Sequence, residues 1–365
     1  MKKSRFKCLS ILLIFTPFVF SLLLLTGCSV HVNKENNYKN VVDVYGRSVD
    51  VPAEVNKIAT AGSATRLCVY AGCSEKLVAI TQMDKPDISR PYTIAYKDKF
   101  ESLPTTSNGN HLNFTDIDIE SIIKLSPDVI FSTRSKDECQ NLQDKINIPV
   151  VGVNLDEDIF SSTLTNSLNI IGQVAGCEDK VNQVNSFMQN CRNELKECST
   201  QDRQDLRIYR GAINYKGSKG LTGTYSKLPI YSILNIKTVE DRDDITGAYD
   251  TTIEQILTWN PEIILFDFKN LEKVKNDYNN NKEILAKIDA FKNNQIFTTL
   301  PFNNNATNVE YALCEAFFIS NKTSLNPKND NEMESKYSEV IKTLLGVDCY
   351  QELKSLGAEF KLATF

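Results

Sequence analysis

The sequence predicts an α/β protein built from two lobes that a single long helix joins. Three observations carry this prediction. One helix–strand unit occurs twice, strand and helix signals alternate around each copy, and residues 181–198 between the two halves read as helix without Pro or Gly. The length agrees, because 365 residues correspond to about two domains at roughly 150 residues each.

The repeated unit covers residues 119–131 and 253–266. In both copies a Glu opens a short amphipathic helix, a Pro follows seven residues later, and an acidic residue then precedes an apolar strand. The carboxylates of Glu120 and Glu254 complement the positive end of the helix dipole, and the Pro stops the helix. The apolar run has the length of a buried parallel strand, so each copy predicts one α/β lobe.

The other elements follow in order along the chain. In the first half we predict three strands, at residues 57–60, 77–80 and 150–153, and one helix at residues 65–71. Residues 162–200 carry apolar residues at helical spacing, with Gly172 or Gly176 as the place where this stretch breaks. Strand signals then resume, at residues 206–209, 263–266 and 295–298. Strands therefore alternate with helices on both sides of the long helix.

The first 27 residues have the pattern of a secretion signal. Four cations precede an almost uninterrupted apolar run from Leu9 to Leu25, and the sequence Leu-Thr-Gly-Cys ends this segment at Cys28. A small residue before a Cys, directly after such a run, resembles the lipobox of bacterial lipoproteins, which implies that Cys28 is acylated. The alternative is an ordinary N-terminal transmembrane helix with Cys28 as a bystander. We predict an exported protein anchored by lipid to the outer face of the cell membrane, with a polar tether behind the anchor.

Charge and composition narrow the function classes. The chain has 41 Lys and Arg against 46 Asp and Glu, a net charge of -5 without a basic stripe, which argues against a nucleic acid partner. Hydrophobic residues make up 41% of the chain, enough for a core in each lobe. Eight cysteines remain besides Cys8 and Cys28, and no C-x-x-C occurs. We expect most of them to be small buried side chains and leave their disulfide state open.

Residues 42–80 resemble the opening of a known family. The segment from Val42 to Pro52 reads V-D-V-Y-G-R-S-V-D-V-P, and a Lys-Ile pair, a helix ending in Ala-Gly and a second strand follow it. This order is similar to that of the iron-siderophore and cobalamin substrate-binding lipoproteins of ABC importers. The repeated helix–strand unit also resembles theirs, as do Gly-Thr-Tyr at 223–225 and Gly-Ala-Tyr at 247–249. The resemblance covers about residues 41–345.

The resemblance implies two Rossmann-like lobes, one rigid bridging helix and a ligand cleft between the lobes. It also implies a function without catalysis, because such proteins capture ferric siderophores, haem, cobalamin or related metal chelates and deliver them to a permease. Glu120 and Glu254 match in position the two acids with which this family grips arginines on the two permease subunits. The partners implied are therefore an ABC permease dimer with its ATPase, engaged by a monomer. The alternative role of both glutamates is helix-dipole compensation alone.

The resemblance implies six segments along the chain. Residues 1–27 are the signal peptide, residues 28–40 the flexible tether and residues 41–175 the first lobe. Residues 176–202 are the bridging helix, residues 203–345 the second lobe and residues 346–365 a C-terminal tail.

Ligands of open α/β sheets sit at the carboxyl ends of the strands. Applied to this sequence, the rule selects loops that contain three arginines, Arg66, Arg134 and Arg210. Guanidinium groups bind carboxylate, catecholate or phosphate oxygens bidentately, so we predict that these arginines converge on an anionic chelate. The alternative for each is a surface arginine paired with a local acid.

Five aromatic residues in predicted loops of the second lobe are further candidates for ligand contact: Tyr215, Tyr225, Tyr249, Phe268 and Phe302. Their ring faces are suited to stacking on a macrocycle or a catecholate ring. The alternative is that each ring pins its loop to its own lobe.

The chain has two histidines, His31 in the tether and His111 in a loop, so no His pair is available for bare zinc or manganese. We expect no resident cofactor and no direct metal site, with His111 as a candidate contact to the metal of a bound chelate. No nucleophile motif or phosphate loop occurs in a supporting context, so we predict no enzyme.

We therefore predict a surface-anchored substrate-binding protein whose ligand is a metal chelate. A ferric siderophore comes first because of the arginines, and haem, cobalamin and nickel chelates are alternatives. A hypothesis of another class is a surface binding, adhesion or sensor protein that uses the same lobes without transport.

Overall fold

The computed structural model describes residues 37–106, 118–199, 206–213, 215, 217 and 219–365, and the structural statements below concern this part of the chain. The signal peptide, Cys28, residues 29–36 of the tether and His111 lie outside the described residues. What the sequence predicts for them stays a prediction. The tether predicted to reach residue 40 ends earlier, because the first strand, Tyr38–Val42, already begins at Tyr38 and pairs with the next strand of a hairpin.

A parallel sheet organises the first lobe. An antiparallel hairpin of β1 (Tyr38–Val42) and β2 (Ser48–Pro52) precedes it. The sheet contains four strands, β3 (Ile58–Ala61), β4 (Leu77–Ala79), β5 (Val129–Ser132) and β6 (Val150–Gly152). All neighbours are parallel in the order β4-β3-β5-β6. Their nearly continuous burial is typical of parallel strands that helices cover on both faces.

The second lobe repeats this plan. Its strands are β7 (Ile208–Gly211), β8 (Gly223–Ser226), β9 (Gly247–Asp250), β10 (Ile263–Asp267), β11 (Ile296–Thr299) and β12 (Lys361–Leu362). The sheet order is β12-β11-β10-β7, parallel except for the antiparallel edge strand β12. β8 and β9 form a separate antiparallel ribbon.

Helices connect and cover the strands of both lobes. Up to the second lobe they are α1 (Ala64–Tyr70), α2 (Pro91–Ala95), α3 (Lys97–Ser102), α4 (Ile119–Leu125), α5 (Lys136–Ile146), α6 (Ser162–Ala175) and α7 (Glu178–Ser199). The others are α8 (Pro229–Ser232), α9 (Ile253–Trp259), α10 (Leu271–Asn280), α11 (Lys282–Leu285), α12 (Asp289–Lys292), α13 (Val309–Thr323), α14 (Asp330–Leu345) and α15 (Tyr350–Ser355).

The repeated sequence unit is a repeated structure. α4 with β5, and α9 with β10, are its two copies, and each helix ends at a left-handed residue, Ser126 (φ 48°) or Asn260 (φ 45°), directly before the Pro. The acid after the Pro binds backbone amides at the start of the neighbouring strand. Asp128 accepts from the amide of Lys57 at 2.8 Å before β3, and Glu262 accepts from the amide of Arg207 at 3.1 Å before β7. The acid thus aligns two adjacent parallel strands in each lobe.

The long helix predicted between the lobes is α7. It follows α6, which ends at Gly176 with φ 68°, so the break lies at Gly176, whereas Gly172 is inside α6. α7 packs against α6 of the first lobe and against α13 and α14 of the second. One apolar cluster runs through these helices and reaches both sheets, for example at Val129 and Leu265.

Residues 346–365 are not the tail that the sequence predicted. They carry α15 and β12, and β12 pairs with β11 through Leu362 and Lys361. The backbone pairing of this edge strand, rather than apolar side chains, brings the chain end into the sheet, because both residues of β12 are exposed.

Candidate functional site

A cavity of about 700 Å³ lies between the carboxyl ends of the two parallel sheets. The first lobe lines it with residues that follow β4 and β6, and the second lobe with residues that follow β7, β10 and β11 and with the β8–β9 ribbon. The lining residues are Ser89, Glu157, Ile213, Tyr215, Gly217, Tyr225, Ala248, Lys269, Asn270, Phe302, Asn303, Asn304 and Asn305. The position is the one expected for a ligand site in open α/β sheets.

Three of the five aromatic residues predicted from the sequence line this cavity. Tyr225 and Phe302 meet edge to face with ring centroids 6.2 Å apart. Tyr215 donates a hydrogen bond from its hydroxyl to Asp250 at 3.0 Å. These rings give the cavity an apolar wall beside its polar groups, a combination that suits an organic ligand with polar substituents.

The other two aromatic residues do not line the cavity. Tyr249 is half-buried in the β8–β9 ribbon, and its hydroxyl donates to the backbone carbonyl of Glu240 at 2.6 Å. Phe268 packs against the main apolar cluster. Both therefore match the alternative interpretation, in which a ring pins its loop to its own lobe, and contact with a ligand stays a prediction for them.

A hydrogen bond crosses the cavity between the lobes. The hydroxyl of Tyr225 donates to the carboxylate of Glu157, in the loop after β6. Burial and this acceptor raise the pKa of Tyr225, so the phenol keeps its proton at neutral pH. A second cross-lobe contact is the ion pair of Lys269 with Asp87, 3.2 Å apart.

Arg66 holds the loop that contains Asn303, Asn304 and Asn305, called the asparagine loop below, which forms one wall of the cavity. Its Nη1 donates to the carbonyls of Ala306 at 2.9 Å and Thr307 at 2.8 Å, and to the side chain of Asn308 at 3.0 Å. Its Nη2 donates to the carbonyl of Asn304 at 2.9 Å. Arg66 is fully buried in α1, so it shapes the cavity from behind the loop.

The loop it holds has an unusual backbone. Asn305 and Ala306 have φ values of 59° and 141°, which L-residues rarely adopt. First-lobe side chains fix this conformation, because Ser63 donates to the carbonyl of Asn305 and Arg90 donates to the side chain of Asn304 at 2.7 Å. The amide groups that face the cavity are therefore positioned by both lobes.

Arg210 lies under the cavity floor. Its guanidinium donates to Glu315 at 2.9 Å and to Asp267 at 2.5 Å, and it lies 5.8 Å from the ring centroid of Phe302. Burial lowers its pKa, but the two carboxylates raise the pKa by more, so the group stays charged. Arg134, nearly buried in the first lobe, pairs with Glu138 at 3.4 Å.

None of the three predicted arginines is among the residues that line the cavity. Arg134 pairs with Glu138, four residues away, and Arg210 pairs with distant acids of the second lobe, while Arg66 binds backbone carbonyls instead. All three side chains are buried, so none is the surface arginine of the alternative interpretation. Arg66 and Arg210 bind buried groups of the protein that would otherwise lack a partner, whereas Arg134 binds a partly exposed carboxylate. Direct contact of these arginines with a ligand stays a prediction.

Sequence reasoning missed several polar residues of the cavity. The rule that selects residues after each strand could have found Glu157, Lys269 and Asn270, because they follow β6 and β10. Ser89 lies ten residues beyond β4, and no sequence pattern marks it.

A family model described as "Periplasmic binding protein" matches residues 68–301. The chain belongs to this family. Its members are the substrate-binding components of ABC importers, which bind and transfer a ligand without catalysis. The two α/β lobes, the long helix and the cleft agree with that membership.

Individual proteins similar to this periplasmic binding protein bind different ligands. The molybdate-binding protein MolA of Haemophilus influenzae is 22% identical over 280 residues, which cover 70% of this chain and 76% of MolA. The crystal structure of a periplasmic solute-binding protein from Veillonella parvula matches with a TM-score of 0.69 at 16% identity, over 87% of this chain and 96% of that chain. The structure of Helicobacter pylori CeuE with Ni(II) bound matches with a TM-score of 0.59 at 16% identity, over 87% and 99%. At these identities the structural matches establish the fold and leave the ligand open.

The described part of this periplasmic binding protein lacks both a membrane-spanning helix and a ready-made metal cluster. None of the helices there combines the length and the apolar character that crossing a bilayer requires. The same residues contain no group of three or more His, Cys, Asp or Glu side chains placed to hold a metal ion.

Proposed function

We propose that this protein captures a metal chelate, with a ferric siderophore as the first candidate, and delivers it to an ABC permease dimer with its ATPase. The cavity carries this proposal. Its volume of about 700 Å³ falls within the roughly 300 to 1,000 Å³ of pockets for drug-sized organic ligands. Aromatic rings on one side and amides on the other suit a chelate with ring and carbonyl or hydroxyl groups.

Haem, cobalamin and a nickel chelate are alternatives of the same kind. Molybdate is a second candidate of another kind, favoured by the similarity to MolA over 70% of the chain. A tetrahedral oxyanion would need few of the lining groups, such as Lys269 and the Asn303 and Asn304 amides, and would leave most of the cavity to water. The cavity size therefore supports the chelate over the oxyanion.

Isothermal titration calorimetry tests the ligand. The protein is titrated with catecholate, hydroxamate and citrate complexes of Fe(III), and with haem, cobalamin, nickel–histidine and molybdate. We expect one of the ferric complexes to bind most tightly. Tight binding of molybdate with no binding of any chelate would overturn the proposed ligand class.

A matched pair of variants tests the site. Phe302→Ala removes a ring that lines the cavity and should weaken chelate binding by about tenfold or more. Phe291→Ala removes a ring stacked on Tyr278, 5.3 Å between centroids, away from the cavity, and should leave affinity unchanged. Equal affinities of the two variants would place the ligand elsewhere, and their melting temperatures report any loss of folding.

We also propose that Cys28 carries a lipid anchor on the outer face of the cell membrane. The support is the Leu-Thr-Gly-Cys sequence after the apolar run. Labelled palmitate should appear in the parent protein and not in Cys28→Ser. Equal labelling of both would contradict the anchor.

Transport separates this proposal from a surface binding or sensor protein. Vesicles that contain the permease and the ATPase should accumulate the chelate only when the binding protein is present. Binding without such uptake would favour the sensor hypothesis.

A further inference from the structure

Two turns of the chain that are about 100 residues apart in sequence pack against each other behind the first sheet. One turn follows α1 and the other joins α6 to α7. Lys76 donates from Nζ to the carbonyl of Ala175 at 2.7 Å. A methyl group on Gly72 would lie 2.6 Å from Cγ of Lys180, so the first turn packs directly against the Lys180 side chain of the second.

These two contacts bracket a pair of cysteines. Cys73 lies between the contact residues of the first turn and Cys177 between those of the second. Cys73 belongs to the main apolar cluster and Cys177 packs against that cluster. The neighbouring Cys73 thiol and burial raise the pKa of the Cys177 thiol. Cys73 is buried and Cys177 is partly exposed, and both are free thiols in this structure.

We propose that Cys73 and Cys177 form a disulfide after export, by exchange with a disulfide oxidant. The family to which the chain belongs acts outside the cytoplasm, where disulfides persist. The spacing of the cysteines along the chain does not suggest this pair. The packing of the two turns against each other suggests it.

The exchange requires one external disulfide and no other reactant. The Cys177 thiol, which is partly exposed, loses its proton to a base in the solvent, and the thiolate attacks one sulfur of the oxidant. The raised pKa of Cys177 keeps the thiolate fraction small, so this first attack is the slow step. The other sulfur of the oxidant leaves as a thiolate. Cys73 then loses its proton and attacks the Cys177 sulfur of the mixed disulfide, which releases the second oxidant thiolate. The two protons end on the two released thiolates, so the protein pair is oxidised and the external disulfide is reduced to two thiols.

A third thiol provides an internal comparison. Cys68 lies in α1, and the Cys73 thiol donates to its backbone carbonyl at 3.3 Å. A Cys68–Cys73 bridge would close a loop of a few residues and would constrain the unfolded chain little, whereas the Cys73–Cys177 bridge closes about 100 residues. The bridge we propose fixes the start of α7 to the turn after α1.

Mass spectrometry of the exported full-length protein tests the pair. The protein is alkylated at once after cell lysis, digested with trypsin, and compared before and after reduction. We expect a cross-linked species of residues 67–76 and 146–180 that reduction separates. The same species should form when the reduced protein is incubated with oxidised glutathione.

Three variants assign the bond. Cys68→Ser should keep the cross-link, while Cys73→Ser and Cys177→Ser should abolish it. Reduction should lower the melting temperature of the parent by roughly 5 °C and leave that of Cys177→Ser unchanged. The proposal is overturned if Cys73 and Cys177 are fully alkylated in the exported protein and remain so after incubation with oxidised glutathione. A bond between Cys68 and Cys73 in place of the proposed one would also overturn it.

Discussion

Arg210 places a full charge inside the second lobe. It lies in β7 with no exposed surface, between Asp267 and Glu315. Removing one partner of a buried ion pair leaves the other charge uncompensated, which costs about 3 to 5 kcal/mol. Arg210→Ala should therefore lower the free energy of unfolding, measured in urea, by that amount.

Arg242→Ala is the matched control, because Arg242 pairs with Asp244 at 2.7 Å on the exposed surface of the same lobe. An exposed pair contributes less than about 1 kcal/mol. If both variants lose the same stability, the buried pair does not have the structural role inferred here.

Glu240 gives a prediction about pH. Its side chain is fully buried and accepts from the backbone amide of Arg210 at 3.3 Å, and burial raises its pKa well above the usual range. In the unfolded chain the same carboxyl ionises above about pH 4.3. The folded state thus holds a proton that the unfolded state releases, and stability falls as pH rises from about 4 towards the raised pKa.

Glu240→Gln replaces the carboxyl that binds this proton in the folded state with an amide that does not titrate. Relative to the parent, the variant should gain unfolding free energy as pH rises from 4 to 8, by up to about 1.4 kcal/mol per pH unit. Urea unfolding at three pH values measures the difference, and Glu272→Gln on the exposed first turn of α10 is the control. Parallel pH curves for the parent and Glu240→Gln would contradict the prediction.

At the scale of elements, the two copies of the repeated unit differ in how they end their helices. Ser126 is exposed and adopts a left-handed conformation that costs about 1 kcal/mol or more for a residue with a Cβ. Asn260 has the same conformation, but its side chain accepts from the amide of Asp289 at 2.9 Å and donates to its carboxylate at 2.8 Å.

Glycine substitution should therefore have opposite effects at the two helix ends. Ser126→Gly should raise stability by on the order of 0.5 to 1 kcal/mol, because glycine relieves the strain. Asn260→Gly should lower stability by about 1 to 2 kcal/mol through the lost hydrogen bonds. Thermal unfolding of the two variants checks this, and a change of the same sign in both would contradict it.

Local patterns made the lobes predictable, and distant contacts made the site harder to predict. Each copy of the repeated unit contains its helix, stop and strand within 14 residues, so the sequence alone predicts it. The asparagine loop has its shape from Arg66, about 240 residues away, which no local pattern indicates. For the same reason β12 was missed, since two exposed residues join the sheet through backbone pairing only.

At the scale of the whole molecule, the lobes are tied together near the cavity. Two side chains of α1 make these contacts. Arg66 binds the asparagine loop, and Tyr70 donates to the carboxylate of Glu310 in α13. The main apolar cluster continues from one lobe into the other. These contacts favour a cleft whose two sides keep a nearly fixed separation, so that surface groups on α4 and α9 also keep a fixed spacing.

Glu120 and Glu254 are such a pair, one on the first turn of each repeated helix, and both are exposed. Another side chain caps the first turn of each helix, since Asp118 accepts from the amide of Ser121 at 2.9 Å and Thr252 accepts from the amide of Gln255 at 3.1 Å. Helix capping therefore does not require the glutamates. Two equivalent acids, one per lobe, fit a partner with two equivalent basic sites, such as a permease dimer, where charge pairs give steering and specificity.

The double variant Glu120→Ala with Glu254→Ala should bind its chelate and melt as the parent does, within about 1 kcal/mol for the lost dipole terms. It should fail to drive chelate uptake into vesicles that contain the permease and the ATPase. The control is Glu178→Ala with Glu272→Ala, which removes two exposed first-turn glutamates from α7 and α10 and should leave uptake intact. Uptake by the double variant at the parent rate would leave Glu120 and Glu254 as helix-dipole partners alone. Loss of uptake in the control variant as well would indicate an effect of net charge rather than docking at two matched acids.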